Sequence, residues 1–200
     1  MLGVKRAAAS IVSILLATLP LIAADANPGR KAPELAFTVP GQGQKLLSQY
    51  RGKVVALEFI FTTCPHCQAA SKVMSRFQRE YGSQGFQALD IAVNDNADLL
   101  VENFVKDYQV AFPVGWLPRD QMLSFMGFKD GRFVVPQLVI IDRKGNIRYQ
   151  TPPLENEDWD KLMKEDVIKQ HIEELLGTSN SAKHATPAGN GRLALAKKPT

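Results

Sequence analysis

Cysteine is nearly absent from this chain: there are two in 200 residues, Cys64 and Cys67. A framework of structural disulfides is therefore excluded. One bridge between residues so close together closes a tiny loop and constrains the unfolded chain little. The folded part also lacks a basic cluster. Of the formal net charge of +4, the residues after Gly177 carry +4 (Lys183, Arg192, Lys197 and Lys198, with no acid) and the first 26 residues carry +1, so residues 27–177 carry −1. No nucleic acid is expected as a partner, because binding it needs basic residues gathered on the folded domain. Internal repeats are absent too. What remains is one stretch of ordinary domain length, long enough to bury a core without disulfide staples.

The N-terminus reads as an export signal. Lys5 and Arg6 form a short basic region, Ala7 to Leu19 is apolar or small, Pro20 breaks the run, and Ala24-Asp25-Ala26 offers small residues for cleavage. The alternative is an uncleaved N-terminal anchor, since the stretch to Ala24 is close to the lower limit for crossing a bilayer. Either reading places residues 27–177 outside the cytoplasm, in a periplasmic or other extracytoplasmic space. No cysteine follows the segment, which excludes lipid attachment at a cysteine there. Residues 178–200 are rich in Ala, Asn, Gly, Lys and Thr without periodicity and read as a disordered basic tail.

Apolar periodicity gives the elements between. A short strand is expected over Ala32–Val39, a turn at Pro40–Gly43 and one helical turn over Leu46–Gly52. Lys53–Phe61 and Phe86–Val93 are short apolar runs with β-branched and aromatic residues, which predicts buried strands. Gln68–Tyr81 has helix spacing and is closed by Gly82. Asn94-Asp95-Asn96 is expected to cap a helix that buries Leu99, Leu100, Phe104 and Val105. A strand around Phe112–Val114, a small helix over Arg119–Met126, a strand over Phe133–Asp142, a hairpin to Asn146–Gln150 and one helix from Asn156 to Leu176 complete the order. This pattern is α/β: a sandwich with a central mixed β-sheet flanked by helices. Trp116 and Trp159 are read as core and His171 as surface or packing.

The two cysteines stand in Cys64-Pro65-His66-Cys67, after a strand and before a helix. That context puts Cys64 at a helix N-terminus, where unpaired N–H groups and the helix dipole favour a thiolate. A second thiol one turn along makes a redox pair, with Cys64 attacking and Cys67 resolving the mixed disulfide. His66 lies between them, where a positive imidazole would stabilise the thiolate and make the disulfide more oxidising. Glu58 interrupts an apolar strand. Buried, it would carry the proton that Cys67 must lose; at a strand end it would face solvent. Pro136 sits where a buried strand begins, as a cis residue that turns Val135 toward the cysteines or as an ordinary trans proline at a strand start.

These residues resemble the thioredoxin superfamily. More narrowly, residues 31–176 look like the TlpA-like group of exported thiol–disulfide oxidoreductases. The likeness runs through Ala32-Pro33-Glu34-Leu35, Leu46–Val55, Cys64-Pro-His-Cys67, Phe112-Pro113-Val114 and Val135-Pro136 to Ile147. It implies a thioredoxin-like sheet, a cis Pro136, Glu58 as the buried acid six residues before the first cysteine, and an extra helix within residues 97–107. It also implies client proteins with thiols or disulfides and a membrane or soluble redox partner that recycles the dithiol, with no cofactor. Thr62-Thr63 depart from the tryptophan common in that group, and the Pro-His dipeptide looks like the DsbA group. Both directions are therefore implied: reduction of client disulfides, as in cytochrome c maturation, or oxidation of client thiols.

Two alternatives belong to the same fold. Peroxiredoxins share the N-terminal pattern, but need Pro and Thr seven and three residues before the reactive cysteine, where this chain has Leu57 and Phe61. Copper-handling relatives space their cysteines by three and add a distal histidine; two thiolates with His66 do not readily close a tetrahedral site.

Overall fold

The structure, a computed structural model, describes residues 29–178. The signal or anchor read over residues 1–26 lies outside the described residues, as does the expected tail apart from Thr178. Thirteen elements follow in order: β1 (Arg30–Lys31), β2 (Ala36–Val39), β3 (Gly43–Leu46), β4 (Val54–Ile60), α1 (Pro65–Tyr81), β5 (Phe86–Ala92), α2 (Ala97–Tyr108), β6 (Val114–Trp116), α3 (Arg119–Met126), β7 (Gln137–Ile141), β8 (Asn146–Gln150), α4 (Glu157–Leu162) and α5 (Glu165–Leu176), with short 3₁₀ turns after β3 and α1.

The strands make one eight-stranded sheet in the order β1-β8-β7-β4-β5-β6-β2-β3. β4 pairs parallel with β5 and antiparallel with β7, and β5 pairs parallel with β6, so the sheet is mixed as expected. Every residue of β4 and β5 is buried, which is why both read as continuous apolar runs rather than alternating ones. Alternation still divides them. Val54, Ala56 and Ile60 face a core with Met74 and Phe77 of α1, Val101 and Phe104 of α2, and Ile168 and Ile172 of α5. Val55, Leu57 and Phe59 face a second core with Met122 and Phe125 of α3 and with Leu35 and Phe37. The sheet is thus covered on both faces, and Glu58, in phase with Ala56 and Ile60, is committed to the α1 face.

Several sequence expectations are corrected. β3 stands between the expected turn and the expected helical turn, which is the 3₁₀ turn Leu47–Tyr50, and was not itself expected. It is an edge strand of mostly exposed residues, Gly43-Gln44-Lys45-Leu46, so no apolar alternation marks it. The C-terminal helix is two helices, broken at Met163-Lys164, where Lys164 is extended at φ −69°, ψ 133°. In one uninterrupted helix the Leu162–Met163 and Ile168–Ile172–Leu175 stripes would point to nearly opposite sides; the break turns both toward the same core. Leu99 is 71% exposed, because α2 buries Ala97, Val101 and Phe104 instead. Trp116 and Trp159 are half-buried rather than core residues. β6 begins at Val114 and β7 at Gln137, both later than expected. His171 packs as expected, its ring stacked on Tyr149 at 3.5 Å.

Candidate active site

β4, a central strand, ends at Ile60, and α1 starts five residues later. Between them the backbone is pinned. Thr62 donates from its N–H (2.9 Å) and its hydroxyl (3.3 Å) to Asn94 Oδ1, and Gln68 Nε2 donates to the Thr62 carbonyl at 3.1 Å. Asn94 therefore holds this loop rather than capping α2, whose N-cap is Asn96 with no side-chain cap bond. Cys64 is the N-cap of α1, extended at φ −85°, ψ 121°. Its carbonyl accepts from Gln68 N at 3.1 Å, and Pro65 fills the first helical position, where a missing N–H costs nothing. The Cys64 sulfur thus stands at the positive end of a 17-residue helix.

Across from it lies the segment before β7. The Val135–Pro136 peptide is cis, and Cys64 Sγ lies 3.9 Å from the Val135 carbonyl oxygen. The segment is held by Gln137, fully buried, whose Nε2 donates to the Val134 (2.9 Å) and Pro153 (3.3 Å) carbonyls while its Oε1 accepts from the Thr151 hydroxyl at 2.6 Å. Gln137 was not singled out in the sequence, although a polar residue opening an apolar strand was a usable signal. Phe61 and Phe133 meet edge to face at 6.0 Å beside this segment, and the Arg119 guanidinium lies over both rings.

Both thiols are free; Cys64 is half-exposed and Cys67 fully buried. Burial pushes the Cys67 thiol far up, and the neighbouring Cys64 and Glu58 act in the same direction. Glu58 has no exposed surface and pairs across the parallel ladder with Asp90, itself almost wholly buried. Burial and then the Asp90 charge raise the Glu58 carboxyl well above the usual range. Burial also raises Asp90, against hydrogen bonds that favour its ionised form. His66 stands exposed at the start of α1. Cys64, Cys67, Glu58 and Pro136 are thus brought together, while His66 faces water.

Cys64 accordingly outpaces Cys67 in alkylation of the reduced protein. With Cys67 buried and its thiolate disfavoured, iodoacetamide followed by peptide mass mapping labels Cys64 about a hundredfold faster or more. Faster labelling of Cys67 refutes the order of roles.

Among the described residues no three or more His, Cys, Asp or Glu side chains gather as a metal site, and no helix is long and apolar enough to cross a membrane.

The chain is 29% identical over 148 residues to the thiol-disulfide oxidoreductase ResA of Geobacillus thermodenitrificans, spanning 74% of this chain and 77% of that protein. A structure from Chlorobium tepidum assigned as thiol:disulfide interchange protein DsbE superposes with a TM-score of 0.62 at 26% identity, over 74% of this chain and 97% of the other. A second structure from Chlorobium tepidum TLS, a thiol:disulfide interchange protein of the thioredoxin family, gives 0.61 at 24% identity over 77% and 100%, which establishes the thioredoxin-like fold. A family model described as AhpC/TSA matches residues 28–150, from before β1 to the last residue of β8, so the whole sheet is included and the chain belongs to the AhpC/TSA family.

Proposed function

We propose that this chain is an extracytoplasmic thiol–disulfide oxidoreductase that exchanges a Cys64–Cys67 dithiol with the disulfides and thiols of client proteins. The observation that carries this reading is the unequal pair: a half-exposed thiol at a helix N-terminus, and a fully buried thiol one turn on, against a buried acid. In the reducing direction, the Cys64 thiolate attacks a client disulfide, forming a mixed disulfide and releasing one client thiolate. Cys67 then gives its proton to Glu58 and attacks the Cys64 sulfur, closing the Cys64–Cys67 disulfide and releasing the second client thiolate. Two electrons pass to the client, and the released thiolates take up the two protons. The reverse sequence oxidises a client dithiol. A client segment that reaches Cys64 also meets the Val135 backbone, which offers it a carbonyl acceptor. His66, beside both sulfurs in sequence, favours the thiolate when charged.

The basic and apolar N-terminal segment supports export, with a membrane or soluble partner recycling the pair. The peroxide reading gains nothing from the structure. Leu57, where that chemistry needs proline, is a core residue on the far face of the sheet, and Phe61 packs under Arg119.

The assay is reduction of insulin disulfides by dithiothreitol, followed as turbidity. The protein accelerates it about tenfold or more over dithiothreitol alone; no acceleration, with Cys64 intact and reduced, contradicts the proposal.

A further inference from the structure

Glu58 accounts for the proton of Cys67 only if it is ionised when that proton leaves, yet its surroundings favour the protonated acid. It is fully buried, and neither of its oxygens meets a hydrogen-bond donor fixed in the fold; Asp90 Oδ1 is in the same position. Two carboxyls directly paired across β4 and β5 can satisfy each other only if one of them carries a proton. Like charges held so close do not both persist in an apolar core.

Ser71, one turn beyond Cys67 on α1 and fully buried, extends the chain of contacts. Its Oγ lies 2.5 Å from Asp90 Oδ2 and 3.0 Å from the Cys67 carbonyl oxygen. The hydroxyl has one hydrogen and two acceptors within reach. It donates to Asp90 when Asp90 is ionised. When Asp90 is protonated on Oδ1, toward Glu58, Oδ2 still accepts from Ser71. Ser71 thus anchors Asp90 Oδ2 and leaves Oδ1 as the oxygen that exchanges a proton with Glu58.

We propose that Glu58 and Asp90 share a single proton, and that Asp90, backed by Ser71, is the positioning residue that holds it so that Glu58 is free to act as the base for Cys67. In the resting form the proton is on Glu58, which donates to the Asp90 carboxylate. Its transfer to Asp90 Oδ1 leaves Glu58 ionised beside the Cys67 thiol, still hydrogen-bonded to Asp90, while Ser71 goes on donating to Oδ2. The Cys67 proton then passes to Glu58 as Cys67 attacks the mixed disulfide; both acids end neutral, and no proton crosses the core to water during the step. The groups that face Glu58 are Asp90 from β5 and Cys67 from α1, with Cys64 beyond Cys67, while β7 opposes it with apolar Leu138. Those facing Asp90 are Glu58 and Ser71, with Val114 opposite on β6.

The inference rests on the thiol–disulfide reading, and its test separates the two. Ellman's reagent forms a mixed disulfide at Cys64 with release of one thionitrobenzoate, and attack by Cys67 releases a second. In the wild type the second release speeds up with pH through the apparent pKa of the acid pair. In Asp90→Asn, Glu58 loses a like charge and gains an amide donor, so the midpoint of this rise moves to lower pH by about one unit or more. An unmoved midpoint, with Glu58→Gln abolishing the rise, makes Asp90 merely structural and overturns the proposal. Absence of any second release refutes the exchange reading instead. Should Asp90→Asn fail to fold, carbon-13 carboxyl titration of the reduced wild type decides. A shared proton gives two steps, each sensed at both side chains; two independent single steps in the ordinary carboxylate range overturn it.

Discussion

Cys64→Ser abolishes exchange with insulin, a loss of about a thousandfold or more, because no other described thiol reaches the surface. Cys67→Ser behaves differently. Its Cys64 still attacks, but the resolving thiol is gone, so the protein accumulates as a covalent adduct with its client that dithiothreitol releases. Gel shift and intact mass distinguish the two variants. The contrast follows from geometry: Cys64 stands half-exposed at the α1 N-terminus, 3.9 Å from the Val135 carbonyl, whereas Cys67 has no exposed surface. Equal loss in both variants with no adduct in Cys67→Ser contradicts the assigned order of attack.

Glu58→Gln slows resolution by Cys67 about a hundredfold or more, and in the same protein raises stability at alkaline pH. The sign follows from linkage. The folded protein holds the Glu58 proton more tightly than the unfolded chain does, because burial and Asp90 oppose the charged form. Above the unfolded carboxyl range, near pH 4, the native state therefore binds more protons than the unfolded state, and native stability falls as pH rises toward the folded value. A glutamine has no proton to lose, and its amide can donate to Asp90. The variant is expected to be more stable than wild type by about 1–3 kcal/mol at pH 8, with the gain shrinking toward pH 4. Urea melts at the two pH values measure it. A variant less stable at pH 8 than at pH 4, relative to wild type, contradicts a raised Glu58 carboxyl.

The parts of the site carried by local pattern were legible in the sequence. β4 and β5 are short, continuous apolar runs, α1 has helix spacing with proline at its first position, and the cysteines fall between strand and helix. Glu58 was visible as a charge in an apolar strand, but alternation alone could not say which way it faced, because both faces of the sheet are covered. Asp90 carried the same signal, a lone acid within Phe86–Val93, and its meaning appears only when parallel register sets it opposite Glu58. Asn94 looked like a helix cap because its residue type suits one; its acceptor is used by Thr62, a contact across 32 positions of sequence. β3 was hidden because an exposed edge strand needs no apolar alternation. The break between α4 and α5 could have been found from the phase of the two apolar stripes, which one continuous helix cannot turn toward one core.

On this mechanism Cys64 and Cys67 form one reversible two-electron couple. Equilibration of the protein in glutathione buffers of graded poise, followed by acid quench, alkylation and intact mass, tests it most directly. Two species only are expected, the dithiol and the internal disulfide, interconverting with a two-electron slope in which a tenfold change in ratio takes about 30 mV. A protein that gathers glutathione on Cys64 without forming the Cys64–Cys67 bond, or that stays fully reduced across the range, contradicts it.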